Sequence, residues 1–296
     1  LQLEGGEIMT KKPLTNFRFE SLGALLQHVK TAPQNWTDRS SQREGDSGWS
    51  GSKTFEDALD LAAHGWPEGR AKMGAAVAAA NASTAFASCP ALSLDVAGAY
   101  PLPHLAAAGD VFCMVTPAPI SERSRPVLRL CVAGAVSAMV NATDIVNYGA
   151  ALLTIVDALE SADYRVELTI VSAIRSMGGD QEASFTVTVK QAQDVLDLDR
   201  LAFVLASPAM WRRLGFAVIE TMPQAFEAGY GVPRDPKAGR DFDADSILLP
   251  SCQSFKKAGG VFSTPQRALD AVLPTLQELL LDRHADFPKY LFDRAA

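Results

Sequence analysis

The sequence predicts a three-layer α/β fold on a mostly parallel sheet, preceded by a mainly helical region. Three observations carry this. Val127–Val136 (VLRLCVAGAV) is nearly all apolar and broken only by Arg129, the pattern of a strand covered on both faces. In the stretch after it, Leu152, Ile155, Val156 and Leu159 share one helical face while Asp157 and Glu160 point away. Val166, Leu168 and Ile170 then alternate with Glu167 and Thr169, as in a strand with one wetter face. Strand, helix and strand in succession make a βαβ unit, whose parallel strands need a right-handed crossover and helices on the sheet faces.

The other elements follow in chain order. The chain begins at Leu1, and Met9 comes after Glu4-Gly5-Gly6-Glu7, which reads like a translated ribosome-binding site. The expectation is that Met9 is the true start of a bacterial or phage gene and that residues 1–16 form a disordered leader. Ser21 caps a helix whose Leu22, Leu25, Leu26 and Val29 share a face, and Pro33 stops it. Residues 37–52 are polar and rich in Gly and Ser, hence a loop. Thr54 and Asp57 form a capping arrangement for a helix with Phe55, Leu59 and Ala62 on its apolar stripe; Gly65 and Pro67 end it. Trp49 and Trp66 are read as packing across it.

The Ala-rich stretch Ala71–Ser88 carries Lys72, Asn81 and Ser83, which argue for a water-compatible helix over a bilayer span. A Pro-rich passage, Cys89–Pro126, holds a short strand at Val111–Val115 and the expected domain boundary. The division predicted is a leader (1–16), a helical region (17–120) and an α/β domain (121–296). Within the last, Phe185–Val189 alternates as a third strand. Ser207-Pro208 opens a helix carrying Met210, Trp211, Leu214, Ala217 and Val218. Residues 229–244 form a loop, and Ile247–Leu249 a fourth strand. Thr264-Pro265 starts a last helix with Leu269, Val272, Leu273, Leu276 and Leu280 inward and a kink at Pro274.

Composition narrows the function. With 48% hydrophobic and 21% charged residues over 296 positions, a full core is available. A net charge of −7 argues against a generally basic nucleic-acid surface. Cys89, Cys113, Cys131 and Cys252 form no C-x-x-C pair, which suits a reducing, cytosolic setting. His28, His64, His104 and His284 have no metal-ligand spacing. No G-x-G-x-x-G or P-loop is present, so no cofactor is expected. Gly45-Asp46-Ser47-Gly48 and Leu61–His64 imitate protease motifs, but in the wrong order and on helix and loop. Asp241-x-Asp243-x-Asp245 opens like a calcium loop, yet the sixth and twelfth positions are Ser246 and Cys252, so a solvated acidic loop is expected.

Two resemblances add to this. Gly149–Leu152, Asp157–Glu160 and Tyr164–Leu168 carry a likeness of Val127–Ser251 to the von Willebrand factor A fold, a Rossmann-like sheet. More widely, from about Phe17 onward the chain resembles uncharacterised phage and prophage proteins, a family of unknown function. The shared runs are Trp49–Gly69 and Leu198–Phe216. The first resemblance implies a metal site at Asp-x-Ser-x-Ser after the first strand. Here that window is Ala133-Gly134-Ala135-Val136-Ser137, and Pro250-Ser251 stands where a later acidic ligand is expected, so no metal is expected.

The parallel sheet directs attention to its carboxyl rim, where open α/β sheets bind ligands. Ser137, Asn141, Thr143, Ser172, Arg175, Lys190 and Ser251, with Ser176 and Gln253, are expected to converge there. Arg212 and Arg213, on a helix, are candidates for partner binding. The expected function is a phage- or prophage-encoded, non-enzymatic protein acting by protein–protein contact, with a protein partner or by self-association, as a virion component or an accessory factor in the host cytoplasm. The alternative is an enzyme or small-anion binder with Ser137, Arg175 and Lys190 around the anion.

Overall fold

The computed structural model describes residues 14–37, 39–45, 47–71, 73–74, 94–95, 100–101, 114–115, 126–162, 164–179, 181–222, 229–254 and 262–283. Residues 1–13 of the expected leader, the Ala-rich helix beyond residue 74, the boundary at 117–125 and the start of the strand at 111–113 lie outside these residues, whereas 14–16, also assigned to the leader, are in a strand.

The elements run β1 (Leu14–Phe19), α1 (Leu22–Thr31), α2 (Ser47–Ser50), α3 (Phe55–His64), β2 (Leu94–Asp95), β3 (Tyr100–Pro101), β4 (Met114–Val115), β5 (Val127–Ala133) and α4 (Ala142–Ser161). Then come β6 (Arg165–Arg175), β7 (Glu182–Lys190), α5 (Leu198–Ala206), a π-helical turn (Met210–Gly215), α6 (Phe216–Glu220), β8 (Val232–Pro233), β9 (Ile247–Leu249) and α7 (Pro265–Arg283). A mixed six-stranded sheet has the order β1-β7-β6-β5-β9, with β8 beside β6; β2, β4 and β3 form a separate small sheet.

The βαβ unit forms as the apolar pattern requires. β5 and β6 pair in parallel from Val127↔Arg165 to Ala133↔Val171, and β9 joins the other edge of β5 in parallel from Leu130↔Ile247. β6 alternates as expected up to Ile170 and is buried on both faces beyond it. The two caps also form. Ser21 accepts from the Ala24 N–H, and Thr54 and Asp57 satisfy each other's backbone N–H in a capping box.

Two expectations about the sheet change. The third strand, β7, is antiparallel to β6, from Arg175↔Glu182 to Leu168↔Lys190. Residues 176–181 are too few for a crossover and close a hairpin instead, with Gly179 at φ 72°. In addition, the N-terminal segment is not only helical. β1 lies in the sheet as an edge strand, parallel to β7 from Leu14↔Glu182 to Phe19↔Val187.

The two sheet faces are covered differently. Leu128, Leu130, Val132, Val166, Leu168, Ile170, Phe185 and Val187 join the side chains of α1, α3, α4, α5, α6 and α7 in one continuous core. On the other face, Cys131, Ala133, Val171 and Phe242 form a small cluster under the 234–246 loop. Among the described residues, the second helical layer of the three-layer expectation is replaced by this loop. α4 is long and apolar enough to cross a membrane, but it is mostly buried here. Gly149 allows α4 to press on α5, since a Cβ there would overlap the Ala206 backbone.

The covering loop is held by charge. Asp241 is fully buried, yet Arg234 donates Nη1 and Nη2 to its two oxygens at 2.7 and 2.8 Å. Ser184 Oγ and the Lys237 N–H each donate to it at 2.8 Å. Arg240 adds an ion pair at 3.1 Å and bridges on to Glu182 at 2.7 Å. Burial alone would push the Asp241 carboxyl up, but these donors and the Arg234 charge outweigh it and hold it well below the ordinary value. Asp243 pairs with Arg18 and Asp245 with Arg129. The Asp-x-Asp-x-Asp segment is therefore not a free acidic loop. Each acid is matched by an arginine, two of them projecting from β1 and β5.

Candidate functional site

The carboxyl end of β5 is where glycine and small residues bring a large ring onto the sheet. A Cβ at Gly134 would overlap the six-membered ring of Trp211, so the indole lies directly on the backbone after β5. Trp211 projects from the π-helical turn 210–215, a local irregularity of the kind that re-aims side chains at sites. Around it stand Phe216 and Tyr230, stacked with centroids 4.0 Å apart at 14°, and Trp49, whose ring lies 6.2 Å from that of Phe216. Trp36 backs Tyr230 at 5.0 Å. Trp49, Trp211, Phe216 and Tyr230 line a cavity of about 360 Å³. Its sheet-side wall is Gly134, Ala135, Val136, Ser137, Ser172 and Ile174.

The walls are fixed from behind. Tyr230 donates its hydroxyl to Glu220 at 2.5 Å and accepts the Ser40 N–H at 2.7 Å. Glu220 is fully buried and also takes the Ser41 N–H and hydroxyl. Burial, with the hydrogen bond to Glu220, pushes the Tyr230 phenol above its ordinary value, so it stays protonated. Trp49 donates its indole N–H to Ala138 O at 3.1 Å. Most of 37–52, read from composition as a loop, belongs to a strap at 39–54 that carries Trp49 to the cavity, with Ser41, Ser50 and Ser52 buried.

The strap is clamped by the two arginines expected to meet a partner, and this corrects that expectation. Arg212 and Arg213 are 2% and 1% exposed. Arg212 donates to Trp49 O at 2.6 Å and to Val140 O, with its guanidinium carbon 4.3 Å from the Trp49 ring centroid. Arg213 donates to the carbonyls of Ser41, Arg43, Ser52 and Lys53 and to Ser50 Oγ. Desolvation lowers the Arg213 pKa, opposed by the charges of Asp57 and Glu56. The planar guanidinium serves five acceptors in one place, which is why arginine and not lysine stands here.

The expected rim residues divide. Ser137 and Ser172 line the aromatic cavity. Arg175, Ser251 and Gln253 line a neighbouring open groove of about 580 Å³ with Arg234. Gln253 joins the two by accepting the Ser137 N–H at 2.7 Å. Asn141 and Thr143 are exposed at the start of α4 and border neither space. Ser176 is buried in the hairpin turn, where its hydroxyl accepts the Gln181 N–H. Lys190 is not on this rim. Because β7 runs antiparallel, its carboxyl end lies at the opposite edge of the sheet, where Lys190 is buried against Glu160 at 2.7 Å. The triad of Ser137, Arg175 and Lys190 around an anion is thereby broken.

The model of a domain of unknown function, DUF7192, matches residues 7–283. The chain belongs to the DUF7192 family. No curated protein and no solved structure matches it. The DUF7192 match takes in both the N-terminal strap and the sheet, so the parts that build the cavity fall within one family unit.

The cavity lining of this DUF7192 chain contains no Asp, Glu, His, Cys or Lys among the described residues. Among those residues there is also no group of three His, Cys, Asp or Glu placed to hold a metal ion. His64, the protease-like histidine, turns to Asp60 one helical turn away. Sequence reasoning named Ser137 and Ser172 but missed Phe216 and Tyr230 as site residues and gave Trp211 only a core role. A signal existed in the aromatic and glycine content of 211–216 and 229–231, but nothing local says that these segments meet the end of β5.

Proposed function

We propose that the chain is a phage- or prophage-encoded binding protein without a reaction of its own. It takes a protein partner at the carboxyl end of β5 and β6, on a von Willebrand A-like domain whose metal position has become an aromatic pocket. The observation that carries this is the cavity itself. Gly134, Ala135, Val136 and Ser137, the window where the A-domain resemblance implies metal ligands, form one wall of it, opposite Trp49, Trp211, Phe216 and Tyr230. Aromatic anchoring pockets with few precisely placed polar groups are what binding surfaces use, and the described lining carries no carboxylate, imidazole, thiol or amine beside its serine hydroxyls.

The surroundings support the same reading. Met139, on the loop after β5, and Met177, in the turn after β6, are 83% and 76% exposed. Both follow carboxyl ends of the central strands, and exposed methionines are adaptable contact residues. The phage association rests on the sequence resemblance, and with it goes a place in the host cytoplasm or the virion.

The test is site-directed photocrosslinking in the native host. A photoreactive residue replaces Met139, Met177 or Val195; Val195 is equally exposed but lies beyond the carboxyl end of β7, on the opposite edge. Crosslinks to one protein from the two rim positions, absent from Val195, are expected. Crosslinking from Val195 alone, or none from the rim, would overturn the proposal.

A further inference from the structure

We infer that the aromatic cavity recognises a flat, uncharged ring that carries a hydrogen-bond acceptor; this rests on the reading of the rim as the binding face. Three observations define the ligand. First, the walls are rings. Trp49, Trp211, Phe216 and Tyr230 line about 360 Å³, at the small end of ligand pockets and suited to one ring system.

Second, two polar groups of the cavity wall make no hydrogen bond to a described residue, and neither is sealed from water. Ser172 is 6% exposed and Trp211 8% exposed, and both line it. Neither the Ser172 hydroxyl nor the Trp211 indole N–H makes a hydrogen bond to any described residue. An indole N–H can only donate, and a ligand that displaces water from a polar group without replacing its hydrogen bond loses affinity. A ligand that enters must therefore bring an acceptor for Trp211, and a hydroxyl, carbonyl or ring nitrogen would also satisfy Ser172.

Third, the charge is wrong for ions. Arg212 already lies over Trp49 and places its positive charge among the rings, which repels a cation. Its Nη1 and Nη2 are given to the Trp49 and Val140 carbonyls, so it offers no free fork to a carboxylate or phosphate. An aliphatic chain would leave Ser172 and Trp211 unpaired. What fits is a phenol or a neutral heteroaromatic ring. Two sources share this chemistry: the tyrosine side chain of a protein partner, and a free ring compound of the pyrimidine or nicotinamide type.

The experiment is an NMR titration of the full chain, reading the indole N–H signals of its four tryptophans. Trp211→Phe assigns the Trp211 signal and removes the donor while keeping a ring. The probes are p-cresol, toluene, N-acetyltyrosinamide, uracil and nicotinamide. Saturable shifts of the Trp211 signal are expected, with p-cresol binding about five- to tenfold tighter than toluene, the worth of one hydrogen bond. Ser172→Ala, a small change that leaves the fold intact, should reduce that preference to within about twofold. Tighter binding of N-acetyltyrosinamide assigns the ring to a partner's tyrosine; tighter binding of uracil or nicotinamide assigns it to a free compound. If no probe moves the Trp211 signal, or if toluene and p-cresol bind equally in the parent chain, the inference is overturned. Surviving rim crosslinks would then show that ring recognition has failed while the binding face stands.

Discussion

Replacing Arg213 by Met should detach the 39–54 strap from the domain. The guanidinium is almost fully buried and gives five hydrogen bonds, four of them to main-chain carbonyls at positions 41, 43, 52 and 53. Hydrogen bonds from a charged group contribute about 1.5–3 kcal/mol each, so the simple sum lies near 7–15 kcal/mol. That sum is an upper bound. The strap can peel and give its carbonyls to water, and Met removes the cost of burying the charge. If water rescues all but one or two of the five acceptors, those left unsatisfied cost about 1–3 kcal/mol each, so the expected loss is about 3–5 kcal/mol. It would be a large share of a typical folding stability of about 5–15 kcal/mol. Urea unfolding measures the loss as a lower midpoint. Hydrogen exchange over 39–54 should rise by more than that over β5 and β6, because the strap opens before the sheet. Since Trp49 rides on the strap, its hydrogen bond to Ala138 should be lost with it. A loss under about 1 kcal/mol with strap amides still protected would refute the reasoning, because the clamp would then be redundant.

Two further outcomes follow from the same geometry. Asp241→Asn leaves Arg234 and Arg240 without their shared carboxylate and should cost about 3 kcal/mol at neutral pH. Because the folded Asp241 pKa is depressed, its contribution is fully present above the unfolded value of about 3.9 and is lost as pH falls toward the folded value. The gap between parent and variant in thermal unfolding should therefore narrow below about pH 4, and a gap independent of pH down to 2 would contradict the assignment. Gly134→Ala drives a methyl group into the Trp211 ring and should cost about 1–3 kcal/mol while moving the Trp211 indole N–H signal. An unchanged melting temperature and an unchanged signal would show that the ring is not pressed on the strand.

Much of the frame was legible without coordinates because its signals are local. The βαβ pattern at 127–171, the caps at Ser21 and Thr54, and the inward face of α7 are all periodicity or short-range hydrogen bonding. The direction of β7 could have been read from the short 176–181 connection, and reading it would have removed Lys190 from the rim. The candidate site was half legible. Ser137 and Ser172 follow from the rule that ligands bind at carboxyl ends, whereas the aromatic wall depends on contacts across more than a hundred residues, such as Trp49 with Arg212.

By itself, then, the sequence determined the longer helices and the central strands and that β5 and β6 run together, because apolar period and turn length act between near neighbours. Only the tertiary structure decided that Leu14–Phe19 completes the sheet edge, that Arg212 and Arg213 face inward, and that one sheet face is closed by an ion-paired loop. These depend on which distant partner fills a hydrogen-bonding edge or neutralises a buried charge. A local pattern cannot encode that choice, since the same arginine pair on a helix reads equally well as a wet surface or a buried clamp.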